Sequence, residues 1–482
     1  MKSTKRKLGK ITDKLSAPAA RFYAFVAFFV IVFFTGGGSR DDIQSLLVLR
    51  PLAVLFCAYA LTVKAPDQWQ GRMFPLYVAG ALLALMVLQL IPLPPSVWTA
   101  LPERQIFADI ADIAGIEQPW RPLTLSPSKT LNSLFALAVP IAAMMLYLNL
   151  DRDYRKRVVP MMIILCAISA LWAIFQVIGP ARGPLYLYWI TNFGTGVGLF
   201  ANRNHQAVML AASIAMLGWY AGSLEPHSKQ AALKFSASIA TILVFVPLIF
   251  ITGSRAGLLL MVPALLLALF LVYFGGYYPG AGSRKRRSAS SKNNLLSGRR
   301  VILVIGIVAI SGMAIASILL SRSLAFDRLF SGNDVEELRW QLLPTLFTMI
   351  KDYMPWGSGF GSFEHVYKMY EPQELLQPTY LNQAHNDWLQ YPIEGGAPAL
   401  LIAIWAVVWF VRRLWIGVKN WRSSNSAKYG VLTCLAVILF LLAASIGDYP
   451  LRVPSIMAVF AVLICIFDDG INSVHRRDIS QD

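Results

Sequence analysis

Apolar residues gather along this chain into long runs separated by short polar segments. A helix needs roughly 20 apolar residues to cross the hydrocarbon core of a bilayer. Runs of that kind fall near residues 21–34, 43–63, 74–93, 131–150, 158–179, 205–223, 236–252, 257–275, 301–320, 397–415, 430–446 and 454–467. The pattern predicts an all-α polytopic membrane protein with about twelve spans, the first and last being short. A basic head (Lys2, Lys5, Arg6, Lys7, Lys10, Lys14) precedes the first run with no small-residue cleavage site, so that run reads as a retained anchor. The longest intervening segments are a Pro-rich one at 94–130 and the largest at 321–396. Within the latter, Leu338, Leu342, Leu346, Met349 and Tyr353 recur at helical spacing. They predict an amphipathic helix over 336–353, kinked at Pro344 and either packed on the bundle or lying in the membrane interface.

Composition agrees with the pattern. The 482 residues are 56% hydrophobic and 14% charged, about half the charge of an ordinary soluble protein. That excludes a disordered chain, a disulfide scaffold and a secreted globule. Cys57, Cys166, Cys434 and Cys465 fall inside apolar runs and read as small core residues. Charge sets orientation. With a cytoplasmic N-terminus, the inward segments hold 29 Lys and Arg against 9 Asp and Glu, and the remainder holds 14 against 17. Both termini are then cytoplasmic, and the 94–130 and 321–396 segments are external. The cluster Arg284, Lys285, Arg286, Arg287 sits on an inward loop, where it fits anionic membrane lipids. No aromatic-basic module accompanies it, so nucleic acid is not an expected partner.

No phosphate-binding GxxxxGK[ST] loop, HExxH, GxSxG or His/Cys cluster at metal-ligand spacing occurs. The glycine strings Gly194–Gly198 and Gly357–Gly361 lack the strand-then-helix context of a dinucleotide fold. The first reads as turn glycines, and the second as a string that shapes a site without doing chemistry. The informative residues are polar groups at the outer ends of spans. Arg255 stands in Thr252-Gly-Ser-Arg-Ala-Gly257, between two apolar runs. An arginine there is either snorkelling to headgroups or a ligand for a diphosphate, whose oxygens match a guanidinium fork. Gly253 and Gly257 beside it would let phosphate approach the backbone. Asn202, Arg203, Asn204 and His205 form a second cluster at a helix start, either capping groups or an anion site. The third cluster is His385-Asn-Asp-Trp-Leu-Gln390, where a neutral imidazole could accept a proton near pH 7. Arg339 completes the set.

Together these residues resemble the O-antigen ligase and polymerase superfamily. The resemblance rests on Phe200-Ala-Asn-Arg-Asn-His205, Thr252-Gly-Ser-Arg-Ala-Gly257, Arg339-Trp340, Trp356-Gly-Ser-Gly-Phe-Gly361, Ala384-His-Asn-Asp-Trp-Leu-Gln390 and Glu394-Gly-Gly396, in that order. It covers roughly 190–420 by motif. It implies an inverting glycosyltransferase of the GT-C type with a periplasmic active site in the bacterial inner membrane. The donor would be a glycan on undecaprenyl diphosphate, and the acceptor either lipid A-core (ligase, the preferred reading) or another lipid-linked glycan (polymerase). By resemblance His385 is the base, and Arg255, Arg339 and Arg203 bind the diphosphate. Asn202, Asn204, His205, Asn386 and Asp387 line the site, and neither metal nor cofactor is used. The chain then divides into N-terminal spans (1–190), a catalytic region (191–420) and C-terminal spans with a cytoplasmic tail (421–482).

Three rivals are open on sequence. A metal-dependent enzyme of the same broad class would use Asp41 and Asp42 in the first external loop, since Asp151-Arg-Asp153 faces inward. A transporter would carry ionisable residues at mid-span, where Arg50 is the main example. A scaffold for polysaccharide export would not depend on His385.

Overall fold

Pro18 at the first helical position opens α1 (Pro18–Thr35), and Gly36 closes it. The same grammar repeats through a computed structural model that describes residues 14–225, 228–275, 312, 340–376, 380–419 and 425–479. After α1 come α2 (Leu46–Thr62) and α3 (Phe74–Leu90). A two-residue strand β1 (Pro92–Leu93) then pairs antiparallel with β2 (Arg121–Pro122) around α4 (Gln105–Ile113). Next are α5 (Pro127–Ala136), α6 (Ala138–Leu148), α7 (Val158–Ile178), α8 (Arg203–Gly222), α9 (Ala231–Thr252) and α10 (Arg255–Phe274). Beyond them lie α11 (Leu343–Tyr353), α12 (Asp387–Lys419), α13 (Asn425–Ala444) and α14 (Pro454–Ile479).

Among the described residues, 8 helices are long and apolar enough to cross a membrane: Pro18–Thr35, Pro127–Leu148, Arg152–Ile178, Ala231–Thr252, Arg255–Phe274, Asp387–Lys419, Ala427–Ala444 and Pro454–Ser473. The second and third expected runs are the shorter apolar helices α2 and α3. The run at 205–223 is α8, which is buried nearly all round, as expected of a helix enclosed by others. The run at 301–320, the basic cluster at 284–287 and Arg339 lie outside the described residues.

The helices form two compact units. The first takes the described residues of 1–149, 333–413 and 445–462; the second takes those of 150–332, 414–444 and 463–482. In the second unit α8 and α10 pack closely in the same direction. Gly257 faces Ala207 near their starts, and Gly218 faces Ala268 further along. Small residues let helix backbones approach where lipid offers no hydrophobic drive. In the first unit, Asn149 at the end of α6 gathers a buried polar knot. Its side chain accepts from Trp69 Nε1 (2.9 Å) and donates to the Ala60 carbonyl (2.8 Å), while its own carbonyl accepts from Arg21 (2.9 Å).

Of the two placements open for the amphipathic stripe, its described part at 342–353 takes the packed one. Pro344 lies in the first turn of α11, where its missing N–H is no loss, and residues 336–339 of the expected helix lie outside the described residues. Leu346, Met349 and Tyr353 are buried against Phe363, Val366, Tyr367 and Ile393. The stripe packs inward on protein.

Candidate functional site

The long helix α12 is broken at Gly396, whose φ of 61° and ψ of −157° belong to no helix. The cause is in the sequence. Pro398 has no N–H, so the Glu394 carbonyl loses its ordinary helical partner. Carbonyls freed inside a membrane protein must be satisfied by protein groups. The glycine string at 357–361 does this. Ser358 N–H donates to the Ile393 carbonyl and Gly359 N–H to the Glu394 carbonyl, both at 2.9 Å. The Gln89 amide adds a second bond to the Glu394 carbonyl (3.1 Å), and its oxygen accepts from Phe360 N–H (3.0 Å). Gly357, Gly359 and Gly361 all have positive φ, and a Cβ on Gly359 would run into Thr124. The string therefore shapes the helix break.

The break presents a short polar helix start, residues 387–395. Asn386 caps it, its side-chain oxygen accepting from Leu389 N–H at 3.2 Å. His385, one residue earlier, has a φ of 51°, rare for a residue with a side chain. Its Nδ1 lies 3.4 Å from Asp448 Oδ1, and its ring sits 4.7 Å from that of Tyr449. Asp387 N–H donates to the Ser445 carbonyl (2.9 Å), tying the helix start to the segment that carries Asp448.

Arg452 grips the same helix at both ends. Its Nε donates to Asp387 Oδ1 at 2.8 Å and its Nη2 to Glu394 Oε2 at 3.3 Å. Burial alone would lower the Arg452 pKa, but the carboxylates of Glu394 and Asp387 outweigh it and raise it above the ordinary value. Glu394, fully buried, also accepts from Gln390 Nε2 at 2.8 Å. The first unit thus brings His385, Asn386 and Asp387 together with Asp448, Arg452, Glu394 and Gln390. Sequence reasoning left Asp448 and Arg452 without roles. Their only signal was position, two charges in a short polar segment between apolar runs.

In the second unit the remaining candidates stand at helix starts. Asn202 is the N-cap of α8, accepting from Asn204 N–H at 2.8 Å, and Arg203 opens the helix. His205 is buried in its first turn. Ser254 caps α10, accepting from Gly257 N–H at 3.1 Å, and Arg255 opens it directly after Gly253, which ends α9 in the left-handed region. Because α8 and α10 run in the same direction with Ala207 against Gly257, Arg203 and Arg255 begin their helices at the same end of the pair. The two glycines have other duties than the sequence reading gave them. Gly253 makes the turn, and the open side of Gly257 is filled by Ala207, so phosphate does not approach the backbone there.

The acidic residues of the metal-dependent rival are engaged otherwise. Asp42 pairs with Arg40 (2.8 Å), which holds its carboxyl below the usual range, and Asp41 pairs with Lys129 (2.8 Å). Among the described residues no group of three or more His, Cys, Asp or Glu side chains is arranged to hold a metal ion. Arg50, the mid-span exception, donates to Asn132 Oδ1 at 2.6 Å.

Many apolar helices, one of them broken around a buried ion pair, define an integral membrane protein with a polar site at a helix break. Residues 239–404 match the family described as O-antigen ligase, about a third of the chain. The stretch includes Arg255, Arg339, His385 and Glu394 and ends before Asp448 and Arg452. The resemblance to the O-antigen ligase and polymerase superfamily is thereby borne out, and with it a membrane glycosyltransferase at the level of the family. A comparison with curated proteins returned no match.

Proposed function

We propose that this protein is an O-antigen ligase-type glycosyltransferase, moving a glycan from undecaprenyl diphosphate to a hydroxyl of lipid A-core on the periplasmic face of the inner membrane. The observation that carries the reading is the placement of His385 Nδ1 against the Asp448 carboxylate. With the Asp448 carboxylate facing Nδ1, the reading gives Nε2 the role of acceptor. Nε2 then takes the proton of the acceptor hydroxyl as its oxygen bonds to the anomeric carbon. The bond from that carbon to the diphosphate oxygen breaks with its electron pair, on the opposite face of the sugar, so configuration inverts. Arg255, Arg203 and Arg339 are assigned to the departing diphosphate, whose developing charge needs fixed donors. The diphosphate is already an activated leaving group, so neither ATP nor a cofactor is required.

The test gives the purified protein a lipid-linked glycan together with lipid A-core or with a second lipid-linked unit. Glycosylated lipid A-core is the expected product. Elongated lipid-linked glycan would make the protein a polymerase, and no transfer to either would reject the reading.

A further inference from the structure

Helix α4 carries an apolar stripe that faces the wrong way for a soluble loop. Ile106, Ile110 and Ile113 recur at i, i+4 and i+7, and Ile110 and Ile113 are 58% and 88% exposed. The opposite face, Ala108 and Ala111, is buried against the rest of the loop. Gly115, at a φ of 64°, ends the helix and brings Ile116 N–H back to the Ala111 carbonyl (2.9 Å), adding another exposed isoleucine beside the stripe.

The polar groups of α4 are already satisfied within the loop. Gln105 donates to Asp109 (2.7 Å), and Gln118 donates to Asp112 (2.7 Å) and to the Ala108 carbonyl (2.9 Å). Arg104 is buried and turned inward, donating to the Pro102 and Leu123 carbonyls. Beside these exposed polar groups the outward stripe itself is aliphatic.

The loop's attachment says what covers this face. It leaves at the last turn of α3 and returns to a candidate span that begins at Pro127. Its base is closed by the β1–β2 pairing and by Thr124 N–H on the Gln89 carbonyl (3.0 Å). The Arg104–Leu123 bond (2.8 Å) holds the start of α4 close to that base. Leu88 in the last turn of α3 and Ile91 just after it are exposed apolar groups in the same way. We propose that α4 lies in the membrane interface, its isoleucine stripe set into the boundary between headgroups and acyl chains, as an extension of the lipid-facing surface of α3.

Charge further specifies the lipid surface. The flanks and polar side of α4 carry Glu103, Asp109, Asp112 and Glu117, with Arg104 withdrawn. Most interfacial helices bring a basic face to anionic lipid. This one is held by apolar area alone, so anionic lipid does not strengthen it.

Spin labels at Ile110→Cys, Ile113→Cys and Asp112→Cys test the placement. The full-length protein, with Cys57, Cys166, Cys434 and Cys465 replaced by Ala, is placed in phosphatidylethanolamine bilayers with or without phosphatidylglycerol. The ratio of oxygen to water-soluble nickel accessibility is expected several-fold higher at 110 and 113 than at 112, with no increase on adding phosphatidylglycerol. Equal nickel access at all three sites would overturn the proposal. So would spin–spin broadening at 110 that vanishes on dilution with unlabelled protein, which would assign the face to a second copy. Should the cysteine-free chain fail to fold, hydroxyl-radical labelling of the unaltered protein in nanodiscs reads the same point. Protection of Ile110 and Ile113 relative to Gln105 supports it, and labelling in proportion to their exposure refutes it.

Discussion

Arg452 Nη2 lies 3.3 Å from Glu394 Oε2, a pairing of residues 58 apart in sequence that locks the short helix after His385 to the segment before α14. Glu394 has no solvent exposure, and Arg452 retains some. Removing one partner of a buried pair strands the other, which costs roughly 3–5 kcal/mol. Arg452→Ala is therefore expected to destabilise the protein by about 3 kcal/mol, toward the low end of that range because the guanidinium keeps some contact with solvent. The thermal midpoint in detergent checks this, and an unchanged midpoint would reject the clamp. Arg452→Lys should recover only part, since a point charge cannot serve Asp387 and Glu394 through one planar fork.

His385→Ala is expected to lower transfer by about 10²–10⁴-fold with donor affinity little changed, because general base catalysis contributes on that scale. Asp448→Asn should reduce the rate less, since it alters only the group facing Nδ1. A stable His385→Ala protein that transfers glycan at the wild-type rate would refute the assignment of the base. The comparison needs matched thermal stability, because His385 also packs on Tyr449.

Gly359→Ala should cost roughly 1–3 kcal/mol from backbone strain alone, at a φ of 103°, with further loss from contact with Thr124. The paired control is Gly80→Ala in α3, where a Cβ meets nothing within 4 Å. Better helix propensity there should leave stability unchanged or raise it by up to ~1 kcal/mol. Equal effects at the two sites, measured by thermal unfolding, would remove the special role given to the glycine string.

Arg255→Lys keeps charge at the start of α10 but loses two-point hydrogen bonding to phosphate oxygens. Both donor binding and turnover are expected to fall, with folding intact. Donor titration of the purified variant decides it, and wild-type affinity would detach Arg255 from the diphosphate.

Chelation should leave turnover unchanged, because the proposed donors to the leaving group are arginines and Asp41 and Asp42 are engaged by Lys129 and Arg40. Activity lost in chelator and restored by Mg²⁺ or Mn²⁺ would return those two aspartates to the centre of the chemistry.

By itself the sequence determined most of the helices, because hydropathy runs and caps are local properties. Pro18, the Asn202 cap and the Gly253-Ser254 turn could each be read within a few residues. It also marked His385, Arg255 and Arg203 as charged or titratable groups that a membrane protein does not carry without cause. Tertiary structure decided which groups meet. Asp448 reaches His385 and Arg452 reaches Asp387 and Glu394 only because chain segments separated by whole spans fold back together. The same dependence governs faces. Two helices with comparable apolar stripes part ways, α11 burying its leucines against Phe363 while α4 turns its isoleucines outward. Periodicity fixes that a helix has an apolar face; what that face touches depends on neighbours set by contacts distant along the chain.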